Sequence, residues 1–187
     1  MRIRLHCTKT LQKKLPSNDD SHLQSRGSSS DLGGLQESPL SGWHANLIKV
    51  QRRQCVLFVH DSTRFPVFIP VLRKPDLAEL DRCFADGFLN ALSKVGMHGD
   101  LMERANRVLG SLVCDSICDR SVQGTMNQMT QELEFMLRYH GSAVTDAVAI
   151  SSINLQLAES PRTVKGKNGP LWPIEAMNSL LTASSDG

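Results

Sequence analysis

The spacing of apolar residues changes at Pro75, and this change constrains the fold more than any other feature of the chain. Before it, apolar stretches of strand length are separated by short polar turns, and the first of them alternates. Ile3, Leu5 and Cys7 interleave with Arg2, Arg4 and His6, and a period of two predicts a strand with one buried face. Trp43 to Val50, Cys55 to His60 and Phe65 to Pro70 read as three further strands. Their connections, Gln51-Arg52-Arg53-Gln54 and Asp61-Ser62-Thr63, are short, which predicts an antiparallel meander. After Pro75 the steps are three and four. Leu77, Leu80, Phe84, Phe88, Ala91, Leu92 and Val95 mark one face of a helix that Gly96 ends. Asp100 is placed to cap a second helix, with Leu101, Ala105, Val108 and Leu112 facing inward. Val122, Met126, Met129, Leu133 and Met136 line a third. Segment 145–158 is read as helix, although Ile153, Leu155 and Leu157 also alternate as a strand would. Pro173 fits the first turn of a last helix through Leu181. Strands first and helices after imply an α+β fold: a small, mostly antiparallel N-terminal sheet packed against a helical C-terminal half, with the helices on one sheet face.

A length of 187 residues, with 40% hydrophobic and 21% charged residues, suits one globular domain spanning 1–187. Thr8 is placed to cap a short helix carrying Leu11 and Leu15. Residues 17–42, rich in Ser, Gly, Asp and Asn, are expected to form a flexible surface loop. The longest strongly apolar run, Val56-Leu57-Phe58-Val59, is far short of the ~20 residues that span a bilayer, so no membrane association is expected. Arg2, Arg4 and His6 interrupt any apolar leader at the start of the chain. The five cysteines, at 7, 55, 83, 114 and 118, are odd in number, and Cys55 and Cys83 stand within apolar runs. Reduced thiols in a cytoplasm are the expectation.

Net charge is only +2, but its distribution is uneven. Residues 1–75 hold twelve Lys and Arg against five Asp and Glu, and residues 76–160 hold six against twelve. A basic N-terminal half can steer an anionic partner, a protein surface or a nucleic acid. Two oppositely charged layers that attract one another account for the same split, and surface charge most often serves solvation.

Few residues combine into recognisable chemistry. In His6-Cys7-Thr8-Lys9, a thiol before a helix start, with Lys9 nearby, is a weak candidate nucleophile. His6 is not its base, because strand neighbours point to opposite faces, and Cys7 equally suits the last core position of the strand. In His60-Asp61-Ser62-Thr63-Arg64 the residue types of a hydrolytic triad are present, but contiguity is the wrong geometry for one; His60 is a weak candidate and Arg64 a candidate ligand. Trp43-His44-Ala45-Asn46 couples an aromatic surface to polar groups, with Trp43 and Asn46 as candidate ligands, although Trp43 also suits a core anchor. Arg120-Ser121-Val122-Gln123-Gly124-Thr125-Met126-Asn127 opens a helix. There Arg120, Ser121, Gly124, Thr125 and Asn127 suit an anion site facing the end of the first strand, with His6 and Lys9 as further candidate ligands, as a guanidinium, hydroxyls and free N–H groups recognise phosphate. Capping by Ser121 or Thr125, with Arg120 paired to Asp119 or Asp115, explains the same residues. Cys114 and Cys118, four apart on an expected helix end, are two ligands where structural zinc needs four, so no metal is expected. The signatures GxSxG, GxGxxG and HExxH are absent, and no cofactor is expected.

Taken together, Ile3-x-Leu5-His6-Cys7-Thr8-x-x-Leu11, Trp43-His44-Ala45-Asn46, Val56 to Val59 leading to Thr63-Arg64-Phe65-Pro66-Val67, and Arg120-Ser121-Val122-x-Gly124-Thr125-Met126-Asn127 resemble a bacterial domain family of unknown function. Glu159-Ser160-Pro161 and Gly169-Pro170-Leu171 add to the likeness, which covers nearly the whole chain outside the Ser-rich loop. That loop is longer than the resemblance implies, and His44 stands where Tyr is expected. The resemblance implies one domain and a prokaryotic source, and brings no activity with it. The expected function is a non-catalytic binding or accessory protein acting on a protein or nucleic-acid partner through the basic N-terminal half, compatible with a mobile-element or counter-defence role. The alternative is an enzyme acting on a phosphate ester or nucleotide. Convergence of His6, Trp43, Asn46, Arg64 and Arg120 in a pocket would favour the enzyme.

Overall fold

The computed structural model describes residues 1–16, 36–164, 166 and 168–183, and the backbone of 24–25. In chain order the elements are β1 (Arg2–Cys7), α1 (Lys9–Gln12), β2 (Gln24–Ser25), β3 (Trp43–Val50), β4 (Arg53–His60), β5 (Pro66–Ile69), α2 (Lys74–Ala78), α3 (Leu80–Lys94), α4 (Asp100–Val108), β6 (Ser111–Asp115), α5 (Arg120–Tyr139), α6 (Ala147–Glu159) and α7 (Pro173–Ala183). The α+β class holds, with most of the strands early and most of the helices late.

The sheet is mixed, which corrects the mostly antiparallel expectation. Its order is β2-β6-β1-β3-β4-β5. Strands β3, β4 and β5 form the expected antiparallel meander. Strand β1 lies parallel to both β3 and β6. The physical reason is the connection: more than thirty residues separate β1 from β3, enough to return the chain to the same end, whereas the meander turns are too short for that. The expected helix running from Asp100 through Leu112 ends at Val108, and Leu112 belongs to β6. Gly110 sits at the break. A Cβ there would lie 2.2 Å from the carbonyl oxygen of Met1, so the chain enters β6 where only glycine fits.

Helices cover both sheet faces, not one. Alternate residues of the sheet divide between two cores. Ile3, Leu5, Trp43, Phe58 and Leu112 face α3, α4 and α7, while Ile48, Val50, Leu57, Val59 and Phe68 face α5 and α6. Segment 145–158 is helical, as expected, from Ala147. Thr8 caps α1 by accepting from the Leu11 N–H, also as expected. Asp100 is the first residue of α4, with Gly99 at the cap position.

Of the Ser-rich stretch 17–42, residues 17–23 and 26–35 lie outside the described residues. Its last part is built into the fold. Arg4 Nε donates to Glu37 at 2.7 Å, Ser38 Oγ donates to the Val108 carbonyl at 2.6 Å, and Leu40 is buried in the core. Leu40 also offers its carbonyl to the Trp43 indole N–H at 2.7 Å. At the outer edge of the sheet, the Asn154 side chain accepts from the Phe68 N–H at 3.0 Å and donates to the Phe68 carbonyl at 3.1 Å. Among the described residues no helix is long and apolar enough to cross a membrane.

Trp43 and Phe88 tie the larger core together. Phe88 is fully buried, with its ring 5.5 Å from Trp43, 6.0 Å from Phe84 and 6.1 Å from Phe65. Such a cluster cannot collapse around a missing ring. Phe88→Ala is therefore expected to lower the unfolding free energy by ~3–5 kcal/mol, read from the shift in a chemical-denaturation midpoint.

Candidate functional site

Three polar residues stand in one row across the sheet. His6 of β1 is in register with Asp115 of β6 on one side and His44 of β3 on the other. Paired residues share a face, so all three side chains project toward the α5 side, where the row continues into Val59. A fourth residue, Asp61, follows the end of β4. Its N–H donates to the Gly42 carbonyl at 2.9 Å. Gly42 has φ +96°, and a Cβ there would come within 3.1 Å of the Asp61 carboxylate. Glycine at 42 therefore both makes the turn and admits the carboxylate.

These four residues form a continuous chain of contacts. His6 Nδ1 lies 2.6 Å from Asp115 Oδ1, and His6 Nε2 lies 3.3 Å from Asp61 Oδ2. His44 Nδ1 lies 2.6 Å from Asp61 Oδ1. His44 Nε2 accepts the backbone N–H of Asp119 at 2.9 Å. Asp115 Oδ1 also accepts the Ile117 N–H at 2.9 Å, and Asp119 caps α5 by accepting from the Ser121 and Val122 N–H groups. Both imidazoles are buried, whereas Asp61 keeps 30% of its side chain exposed. Next to this chain, Thr8 Oγ1 donates to Asn46 Oδ1 at 3.0 Å.

The electrostatics follow from the contacts. The Asp61 contact raises the His6 pKa, burial opposes it, and Asp115 adds to the rise, so His6 titrates above the ordinary histidine range. Burial pushes the Asp61 carboxyl up, but hydrogen bonds from His44 and His6 outweigh it and hold the group well below the usual carboxylate range. Asp61 is thus the exposed anionic end of a network whose inner cation is His6.

His6, His44 and Asp61 present potential metal-ligand atoms within 4.8 Å of one another. Their hydrogen bonding limits that use. A neutral imidazole has one lone pair, and His44 spends it at Nε2 on the Asp119 N–H, which leaves the hydrogen on Nδ1 for Asp61. Two ligand atoms then remain, one from His6 and one from Asp61, fewer than a stable site requires.

The other candidates from the sequence divide into those gathered near the network and those placed elsewhere. Arg64, buried in the turn after β4, donates from Nη2 to Ser121 Oγ at 3.2 Å, which brings these two together. Asn46 lies one alternation along β3 from His44 and reaches Thr8. Arg120, Gly124 and Asn127 are exposed on α5, and Thr125 is buried with its hydroxyl on the Ser121 carbonyl. The capping residue of α5 is Asp119, rather than Ser121 or Thr125, and Asp115 is engaged by His6, so neither acid serves Arg120 as the pairing account supposed. Trp43 points to the opposite face, fully buried. Lys9 is exposed on α1. Cys7 also lies on the opposite face, 3.2 Å from Cys114 Sγ. That contact and burial push its thiol far up, so it is a poor source of thiolate. Cys114 lies on β6, not on a helix end, and Cys118 lies in the connection that follows. His60 packs edge-on against Trp43 at 4.9 Å, and burial depresses its pKa to about 4. Asp61, Asp115 and His44 were not singled out from the sequence as site residues. Each is a polar residue at a strand end, and only the register of β1 with β3 and β6 shows that they meet.

The family model of a domain of unknown function, DUF6933, matches residues 4–176. The chain belongs to the DUF6933 family. No curated protein and no solved structure matches it. The match runs from β1 into α7, so the whole network, with Arg64 and Ser121, lies within the DUF6933 region.

The network and His60 together make the stability of this protein depend on pH. His6 is raised on folding, so its contribution is fully present below its unfolded pKa of about 6.5 and is lost as pH rises through the higher folded value. His60 is depressed, so its neutral burial favours the fold above about 6.5 and costs stability as pH falls toward 4. Asp61 contributes above about 3.9, and that contribution is lost only at still lower pH, through its depressed folded value. Thermal melts should place maximal stability near pH 6.5, roughly the unperturbed histidine value, and His6→Asn should flatten the alkaline limb and also weaken the Asp61 contribution at low pH, since His6 helps hold that carboxyl down.

Proposed function

We propose that this DUF6933 protein is an enzyme that uses His6 for proton transfer on a phosphate ester or nucleotide. The observation that supports this best is the placement of the His6 imidazole between two carboxylates, one mostly buried and one reaching solvent. Burying an imidazolium and two acids together costs desolvation, and a well-packed apolar row would serve folding as well or better. The same arrangement suits proton transfer. Asp115 fixes the ring through Nδ1, and the Nε2 side faces Asp61, whose exposed edge meets incoming substrate. With a carboxylate at each ring nitrogen, the protonated form of His6 is favoured, and that form can donate to a leaving oxygen. Position agrees with chemistry. The chain lays β3, β4 and β5 to one side of β1 and returns to place β6 on the other, and the network stands at the carboxyl ends of β1 and β6. In open sheets of mixed or parallel type, this switch point is where ligands bind.

The reading as a non-catalytic binder of protein or nucleic acid has less support. Arg4 is paired with Glu37 and Arg64 is buried, while the exposed Arg52 and Arg53 stand in the β3–β4 turn and at the start of β4, at the far end of β3 from His44. Five free thiols suit a reducing, cytoplasmic setting for either function.

The test is turnover of a panel of phosphate monoesters, diesters and nucleotides by the full chain. His6→Asn and Asp61→Asn are each expected to lower kcat/KM by about 10²–10⁴-fold, the usual contribution of a positioned acid or base. Equal rates in wild type and both variants, or no turnover of any ester, would remove the proposal.

A further inference from the structure

Arg64 is a buried guanidinium with most of its hydrogen-bonding capacity unused. It is 3% exposed, its Nη2 donates to Ser121 Oγ at 3.2 Å, and its Nε and Nη1 have no hydrogen-bond partner among the described residues. Arginine carries five donors, and leaving them unmet inside a protein is costly. The same fold shows how a structural arginine is treated. Arg162, 1% exposed, is clamped bidentately by Glu132 at 2.7 and 2.8 Å and also reaches the Leu157 carbonyl at 3.0 Å. Arg162 leaves its Nε unpartnered, but among the described residues no carboxylate clamps Arg64 in this way. The two acids whose charges it feels, Asp119 and Asp61, are committed elsewhere, one to the start of α5 and the other to His44 and His6.

The backbone points the same way. Arg64 has φ +58°, a conformation that costs energy for a residue with a side chain. The turn enforces it: the Arg64 N–H donates to the His60 carbonyl at 2.9 Å, and Phe65 next to it is locked in the core. The fold thus accepts an unfavourable dihedral in order to drive a cation inward, toward Ser121 in the first turn of α5. That 20-residue helix directs the positive end of its dipole to the same place.

We infer that Arg64 and Ser121 form the receptor for a phosphoryl group. Nε or Nη1, each paired with Nη2, supplies one edge of the planar fork that a tetrahedral oxyanion accepts, and the half-buried Ser121 supplies a hydroxyl. The inference deepens the proposed function by naming the residues that hold the phosphate. It moves that role from the exposed Arg120 to the buried Arg64. Asp61 links the two parts of the site, since it touches His6 directly and faces the charge of Arg64.

The experiment titrates the isotope-labelled full chain with inorganic phosphate and follows backbone amide shifts. Wild type is expected to bind with a Kd at or below about 1 mM, with shifts centred on Arg64, Ser121 and Val122. Arg64→Lys keeps the charge but loses the fork, and should weaken binding about tenfold or more. Arg120→Gln should stay within about threefold of wild type, since it does not supply the fork. Should Arg64→Lys melt early, Ser121→Ala carries the test, with a loss of about three- to tenfold expected for one hydroxyl. Absence of shifts up to about 50 mM, shifts centred on residues 124–127, undiminished binding by Arg64→Lys or Ser121→Ala, or acetate binding as tightly as phosphate would each overturn the assignment. The two ideas fail separately. Phosphate binding at Arg64 without turnover of any ester sinks the enzyme reading alone, and His6-dependent turnover without phosphate binding at Arg64 sinks the receptor alone.

Discussion

Strand β1 is hydrogen-bonded on both sides, and the register of its two parallel ladders decides where every polar group of the network stands. His6 meets Asp115 across one ladder and His44 across the other. A slip by one residue in either ladder would turn a histidine or a carboxylate to the opposite face, into the core around Trp43. The apolar alternation of Ile3, Leu5 and Cys7 fixes that register, because each must reach the larger core. The polar positions are thereby placed without any specific interaction of their own.

The network then organises its surroundings. His44 links Asp61 to the backbone of Asp119, and Asp119 in turn caps α5. The turn after β4 is thus connected through one imidazole to the start of a helix that follows nearly sixty residues later. The same turn carries His60 toward Trp43 and Asp61 toward His6, so one short segment serves both faces of the sheet.

Much of this was legible in the sequence. The period-two strands, the Phe84 and Phe88 stripe, the capping role of Thr8 and the helix from Ala147 follow from local pattern, and local pattern is what short-range physics sets. The parallel pairing of β1 was not legible, because pairing across a long connection depends on where the chain returns. Strand β6 was hidden because Leu112 continues the inward spacing of Ala105 and Val108, while Gly110 breaks the helix for a reason supplied by Met1, a residue at the other end of the stretch. The site was half visible. His6, Arg64 and Ser121 stood out as polar residues in otherwise apolar or helix-starting contexts. Asp61 and Asp115 looked like a turn residue and a surface partner for Arg120, because a carboxylate gives no sign in sequence of which imidazole it will meet.

The clasp of Asn154 on Phe68 has a consequence at the scale of many molecules. Strand β5 ends the sheet, and an uncovered strand there would offer its peptide groups to any passing extended chain. The Asn154 amide has the same donor and acceptor as a peptide bond and occupies the Phe68 positions as a neighbouring strand would. At the other end, β2 is only two residues long. A side chain from α6 thus stands in for a seventh strand, and ribbon-like growth of sheet upon sheet meets a blocked terminus rather than a template.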